Sequence, residues 1–148
     1  MSWFAPGAFI PTTVPAGRDL PADRGVPVGE PHDFWVNESD RDVDTGLYIQ
    51  TGQRIVLSAT GEIWAGVWLT GENGPQGWPG WSASPDSPLP FGAPFSLLAR
   101  LDGRYLPVGT GREVIYRGPG SKLFLRINDN QPGNGSGAFQ AHVEVYQD

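Results

Sequence analysis

Along much of the chain apolar and polar residues change places at every second position, in short stretches closed by glycine, proline, asparagine or aspartate. That period belongs to a β-strand with one face on a core. In the stretch 54–59 the odd positions Ile55, Leu57 and Ala59 form the apolar face, and in the final run Phe139, Ala141, Val143 and Val145 face inward while Gln140, His142 and Glu144 face water. Further short strands are predicted over 34–36, 46–49, 95–101, 104–106, 113–116 and 123–127. Thr51-Gly52-Gln53 is expected to be the hairpin turn between 46–49 and 54–59, with other turns at Asp102-Gly103 and Gly118-Pro119-Gly120. Strands of this number and length predict an all-β domain, a two-sheet β-sandwich of the jelly-roll kind, whose inner faces form the core.

Composition narrows the picture. With 21 glycines and 15 prolines in 148 residues, a helical bundle is excluded, because both residue types weaken helix interiors. No apolar run approaches the roughly 18 residues of a membrane helix, so membrane insertion is not expected. Six prolines (Pro6, Pro11, Pro15, Pro21, Pro27 and Pro31) and four glycines fall within residues 1–32, spaced so that neither a strand ladder nor a helix is expected there. Residues 1–32 therefore read as an extended arm and 33–148 as the body. The arm's tip carries Trp3, Phe4, Phe9 and Ile10, side chains a freely solvated linker has little reason to keep. They predict that the arm lies on its own body or on a neighbouring chain; the plain alternative is a disordered tail with incidental aromatics.

Sixteen acidic residues against ten basic give a net charge of -6, which provides no field to gather phosphates and argues against a nucleic-acid partner. The absence of cysteine excludes disulfides, a thiol nucleophile and thiolate metal sites. Met1-Ser2-Trp3-Phe4-Ala5-Pro6-Gly7 lacks a basic region followed by an apolar one, so no ordinary signal peptide is expected and synthesis in the cytoplasm is.

Two aperiodic loops, 66–94 and 128–137, interrupt the strand rhythm, and loops of that length inside a compact domain carry function. Catalysis is poorly supported. Glu72, Asp86 and Asp129 offer no distinguishable pair, Ser136 lacks the glycine two residues before it that a nucleophile elbow needs, and His142 reads as a surface residue of an alternating strand. Hard oxygen donors crowd the second loop, where Asp129, Asn130 and Asn134 stand among glycines as a calcium shell requires. A structural Asx-rich turn uses the same residues, and composition does not separate the two. Asp40-Arg41-Asp42-Val43-Asp44 imitates the start of an EF-hand loop, but Thr45 and Thr51 occupy its glycine and glutamate positions, so a solvated acidic turn is the better reading. Four of the six tryptophans, Trp64, Trp68, Trp78 and Trp81, lie in or just before the first loop. Exposed indoles offer flat faces to a pyranose; Trp64 is expected in the core, Trp78 and Trp81 at the surface.

The body resembles the PA-I type bacterial galactophilic lectins. The residues that carry the resemblance are Trp35-Val36-Asn37, Asp44-Thr45-Gly46, Thr51-Gly52-Gln53-Arg54-Ile55, Gly74-Pro75-Gln76-Gly77, Pro85-Asp86, the run 95–101, Ile127-Asn128-Asp129 and Gly135-Ser136-Gly137-Ala138-Phe139. The resemblance implies a galactose-binding-domain-like β-sandwich and a calcium ion bridging protein and galactose. Asp129 would supply a carboxylate ligand, Asn134 an amide and Val67 a backbone carbonyl. The Asp129 loop is two residues shorter than in that family, Gly135 stands where a second asparagine ligand is expected, and Asn130 offers a substitute oxygen. Ser84 and Ser87 fall near the family's sugar-contacting histidine and glutamine.

The expectation is a non-enzymatic, galactoside-directed carbohydrate-binding module, with sugar contacts at Trp78, Trp81, Ser84, Ser87, Asp129 and Asn134 and calcium at Asp129, Asn134, Val67 and Asn130. The arm would place an oligomeric array of such bodies on a virion or other particle surface. The rival is a purely structural decoration protein that kept the fold and lost the site.

Overall fold

The computed structural model describes residues 24–148. Two antiparallel sheets face each other. The first contains β1 (Val26–Pro27), β2 (His32–Asn37), β4 (Arg54–Trp64), β7 (Gly111–Ile115) and β9 (Ser136–Gln147), in the order β1-β9-β4-β7 with β2 also on β9. The second contains β3 (Val43–Ile49), β5 (Leu97–Leu101), β6 (Arg104–Pro107) and β8 (Ser121–Ile127), in the order β3-β8-β5-β6. The expected β-sandwich is therefore observed. Between the sheets lie the alternate residues of the long strands: Ile55, Leu57, Ala59 and Ile63 of β4, Phe139, Ala141, Val143 and Val145 of β9, and Leu123, Leu125 and Ile127 of β8. The arm residues Trp3, Phe4, Phe9 and Ile10 fall outside the described residues.

Three expectations are corrected. Thr51-Gly52-Gln53 is a corner that carries the chain from the second sheet to the first, since β3 pairs with β8 while β4 pairs with β7 and β9. Both arrangements bury Ile49 and Ile55, so alternation alone could not choose between edge pairing and facing across the core. The corner is held by Gln53, whose N–H donates to the Gln50 carbonyl (3.1 Å) while its Oε1 accepts from the Gln50 N–H (2.8 Å). Second, Trp64 is not a core residue: the inward phase of β4 puts Ile63 in the core and leaves Trp64 half-buried on the other face. Third, the end of the proline-rich segment does form a ladder. Val26 and Pro27 pair with Gln147 and Tyr146, and the Val28 N–H donates to the Val145 carbonyl (2.8 Å). A proline fits there because β1 is an edge strand and needs no inner donor. The Asp102-Gly103 turn is as expected: Leu101 and Arg104 pair across two residues with φ of 50° and 73°, the primed turn that suits hairpin twist.

Strand direction brings the two long loops together. β4 and β8 end, and β5 and β9 begin, at one end of the sandwich, as the pairs Trp64 with Ser136 and Leu97 with Ile127 show. The connections 65–96 and 128–135 leave from that end.

Candidate functional site

The first loop is anchored at once to the strand it leaves. Ile63 and Asn73 exchange both backbone hydrogen bonds (2.9 and 2.8 Å). The buried Asn73 amide donates to the Gly74 and Phe95 carbonyls, and its Oδ1 accepts from the Trp78 indole N–H (3.2 Å). Gly74-Pro75-Gln76-Gly77 is a turn pressed against the entry to β5. A Cβ on Gly77 would stand 2.3 Å from the Pro94 carbonyl oxygen, and φ there is +72°, so only glycine fits. Trp78 is consequently half-buried, packed edge-on against Phe95 with centroids 4.8 Å apart, and not exposed as expected. Trp81 packs edge-on against Trp78 at 5.9 Å and remains 68% exposed, as expected.

The rest of the first loop folds back as a small lobe, closed by the Ala83 N–H on the Gly92 carbonyl (2.8 Å) and the Phe91 N–H on the Ala83 carbonyl (3.0 Å). Asn128, fully buried at the end of β8, pins it. Its Oδ1 accepts from the Leu89 N–H (3.0 Å) and its amide nitrogen donates to the Leu89 and Ala93 carbonyls (3.1 Å each). Ser84 and Ser87 lie together, their hydroxyl oxygens 3.2 Å apart.

The second loop is tied down by Glu38, which follows β2 and is 1% exposed. Its Oε1 accepts from the Gly133 N–H (3.1 Å), and one end of the Asn134 side-chain amide faces three acceptors, the Glu38 Oε2 (3.1 Å) and the Ala65 (3.0 Å) and Gln131 (2.9 Å) carbonyls, so that end is assigned as the nitrogen. Gly135 passes so close to β4 that a Cβ would stand 1.8 Å from the Trp64 carbonyl oxygen. Asp129 is only 5% exposed. Its Oδ1 accepts from the Gln131 N–H (2.8 Å), but Oδ2 is buried without a partner. Buried polar atoms are nearly always satisfied, so an orphaned carboxylate oxygen marks a place where something else is meant to donate.

Asp129 borders a hollow of about 250 Å³ whose lining also includes Val67, Trp78, Trp81, Ser84, Ser87 and Asn130. Seven of the eight residues singled out from sequence therefore meet around one space. Asn134 does not line it, because its amide is turned to Glu38. Two of the expected calcium donors carry other bonds in this arrangement. The Val67 carbonyl already accepts from the Trp64 indole and from both the hydroxyl and the backbone N–H of Thr70, and Asn134 is engaged in the Glu38 network. Asp129 and Asn130 are left, two residues where calcium takes six to eight oxygens.

The other candidates separate. The Asp42 carboxylate is occupied by Arg100 (2.7 Å) and the Tyr105 hydroxyl (2.6 Å), and Asp44 by Lys122 (2.9 Å); the Gly46 N–H first and Lys122 second hold the Asp44 carboxyl below its ordinary range. Asp40 accepts from the backbone N–H (2.8 Å) and the amide (3.0 Å) of Asn37, so all three acids of the run 40–44 are engaged. Glu72 lines a different hollow from Asp129, and Asp86 lines neither. His142 is half-buried rather than free on the surface: Nδ1 lies 2.8 Å from Asp33 and Nε2 2.9 Å from Glu144, and these two carboxylates raise its pKa. Sequence reasoning missed the positioning residues Asn128, Asn73 and Glu38. For Asn128 the available signal was a polar residue set directly after the apolar end of a strand, Ile127; Asn73 and Glu38 follow polar residues and carried no such signal.

No family model matches the chain, and no curated protein does. Eight chains of solved structures match. One is described as the EclA N-terminal domain, a PllA-like lectin: it is 24% identical, superposes with a TM-score of 0.56, and covers 78% of this chain and 95% of its own. The fold is lectin-like. What this likeness carries across is the sandwich; the narrower resemblance to PA-I type lectins, and any ligand of this chain, belong to the proposal that follows.

Proposed function

We propose that the chain is a non-catalytic carbohydrate-binding module that seats a terminal sugar, a galactoside being the first candidate, in the hollow beside Asp129. The observation that carries this reading is the buried, unpartnered Oδ2 of Asp129, a residue that lines a hollow with an indole wall. A sugar hydroxyl donating to Oδ2 supplies the missing bond, the Ser84 and Ser87 hydroxyls exchange bonds with others, and the C–H face of the ring packs on Trp81. The lectin-like neighbour supports sugar as the ligand class. Recognition in this reading is direct, with no step through calcium.

A shallow single site of this kind binds at about 1 to 0.1 mM, or roughly -4 to -5.5 kcal/mol. Useful adhesion then needs many copies on one particle, which the proline-rich arm would supply by tethering bodies to a larger assembly such as a virion surface. The test is a glycan array probed with the full chain multimerised on a scaffold, in calcium and in chelator. Galactosides, or another defined sugar, bind the wild type equally in both and do not bind Trp81→Ala or Asp129→Asn; the second variant keeps the Oδ1 acceptor that holds Gln131. A blank array at high valency overturns the proposal in favour of the structural rival. Binding only in calcium would return Asp129 and Asn130 to the role of metal ligands.

A further inference from the structure

Trp78 and Trp81 form a partition, and a second, larger hollow lies on its other side. This space, about 570 Å³, is lined by the same two indoles together with Glu62, Glu72, Asn73 and Gln76. The turn closed by Thr70 on Val67 spans the two, since Val67 lines the first hollow and Thr70 the second. The wall between them is firm, because the Trp78 indole is bonded to Asn73 and packed on Phe95, and the exposed Trp81 stands as its crest. Among the described residues neither Glu62 nor Glu72 has a cationic partner within ion-pair distance.

Resting on the reading of the first hollow as a sugar site, we propose that the second hollow takes the next residue of the same glycan, so that the ligand is an oligosaccharide lying across Trp81 whose second unit carries no negative charge. Continuity argues for the occupant: adjacent rings of a glycan are joined through one oxygen, so a chain seated against one side of Trp81 has its next ring at the crest. Charge argues for its class. Two uncompensated carboxylates accept hydroxyl or ammonium donors well and repel a uronate or sialate.

The experiment compares methyl galactoside, lactose, and lactose with its second ring as glucuronate, titrated calorimetrically against the full chain and against the double variant Glu62→Gln, Glu72→Gln. Both positions are exposed, and matching thermal unfolding of the variant checks its fold. In the wild type lactose binds roughly tenfold tighter than methyl galactoside, the change that about 1.4 kcal/mol of added contact produces, and the glucuronate analogue loses that gain. In the double variant methyl galactoside binds unchanged and the analogue regains the affinity of lactose. If lactose binds no tighter than methyl galactoside, or if the wild type takes the analogue as well as lactose, the second subsite is wrong while the first stands. If none of the three binds, the galactoside candidate for the first hollow fails and this proposal with it, while the glycan array decides whether another sugar is seated there.

Discussion

At the scale of single residues, the loop at Asp129 is shaped by two positions that do different work. Asp129 leaves an acceptor unspent, while Gly135 accepts a close approach that no side chain would permit. The sequence departs from the galactophilic pattern at Gly135, and it is natural to read that as a lost ligand. The structure gives a steric reason: the backbone there runs against the Trp64 carbonyl, with the Cβ position only 1.8 Å from its oxygen. Gly135→Asn will therefore fail to rebuild a shell and will instead destabilise by about 1–3 kcal/mol as the loop is forced off β4. Chemical denaturation checks this, and a variant as stable as wild type would show that the loop has room. His142 provides a second residue-scale prediction. It joins β9 to β2 through Asp33 and is braced along β9 by Glu144, with the Tyr146 hydroxyl on Glu144 (2.6 Å) and Arg24 over the Tyr146 ring. The carboxylates raise the His142 pKa, so its contribution is full below the ordinary histidine value of about 6.5 and is lost as pH rises through the raised one. The Glu144 pKa is lowered by Tyr146 and His142, so its share is full above about 4.3 and is lost as pH falls through the lowered value. Between those limits the clasp is complete. Melting temperature should fall between pH 6 and pH 9 more steeply in wild type than in His142→Gln; identical profiles would remove His142 from the account.

At the scale of elements, the site depends on loops that have little regular structure and are held by side chains from strand ends. Asn128 is the main case, because its amide satisfies three backbone groups of the lobe 83–93 at once. Asn128→Ala leaves those groups without partners in a buried place, at a cost of about 1–3 kcal/mol, and frees the lobe that carries Ser84 and Ser87. Stability by denaturant and proteolytic sensitivity of the lobe measure this together; a protected lobe in the variant would mean that packing alone holds it. The same elements explain what could be read in advance. Alternation in 54–59 and 139–145 reported their buried faces, because that period is set by backbone geometry alone. It could not report partners, so the corner at Thr51-Gly52-Gln53 looked like a hairpin. The site was legible as a set of residue types, since indoles, hydroxyls and a carboxylate stood in two loops. Which donors were free was not, because that depended on Glu38 drawing in Asn134 and on Thr70 and Trp64 filling Val67, contacts between segments far apart in the chain.

At the scale of the whole molecule, a net charge of -6 suggests a surface ready for cations, but several of the acids among the described residues are already committed. Asp42 faces Arg100 and Arg126, Asp44 faces Lys122, Glu113 faces Arg24 and Arg54, and Asp33 and Glu144 share His142. Glu38 is buried in bonds to the second loop. Among the described residues no three acidic or histidine side chains converge on a point where a metal ion would sit. A ligand that binds only the native state raises its melting temperature by mass action, by about 2.7 kcal/mol of stability at a hundred times its dissociation constant. For a chain of this length such a gain is several degrees, easily seen in a thermal scan. With the donors of the expected shell already spent, melting curves of the full chain in millimolar calcium and in chelator should coincide, and Asp129→Asn should respond no differently. A calcium-dependent rise of several degrees in wild type that Asp129→Asn abolishes would show that Val67 and Asn134 surrender their present partners to the ion, and that recognition of sugar here runs through a metal after all.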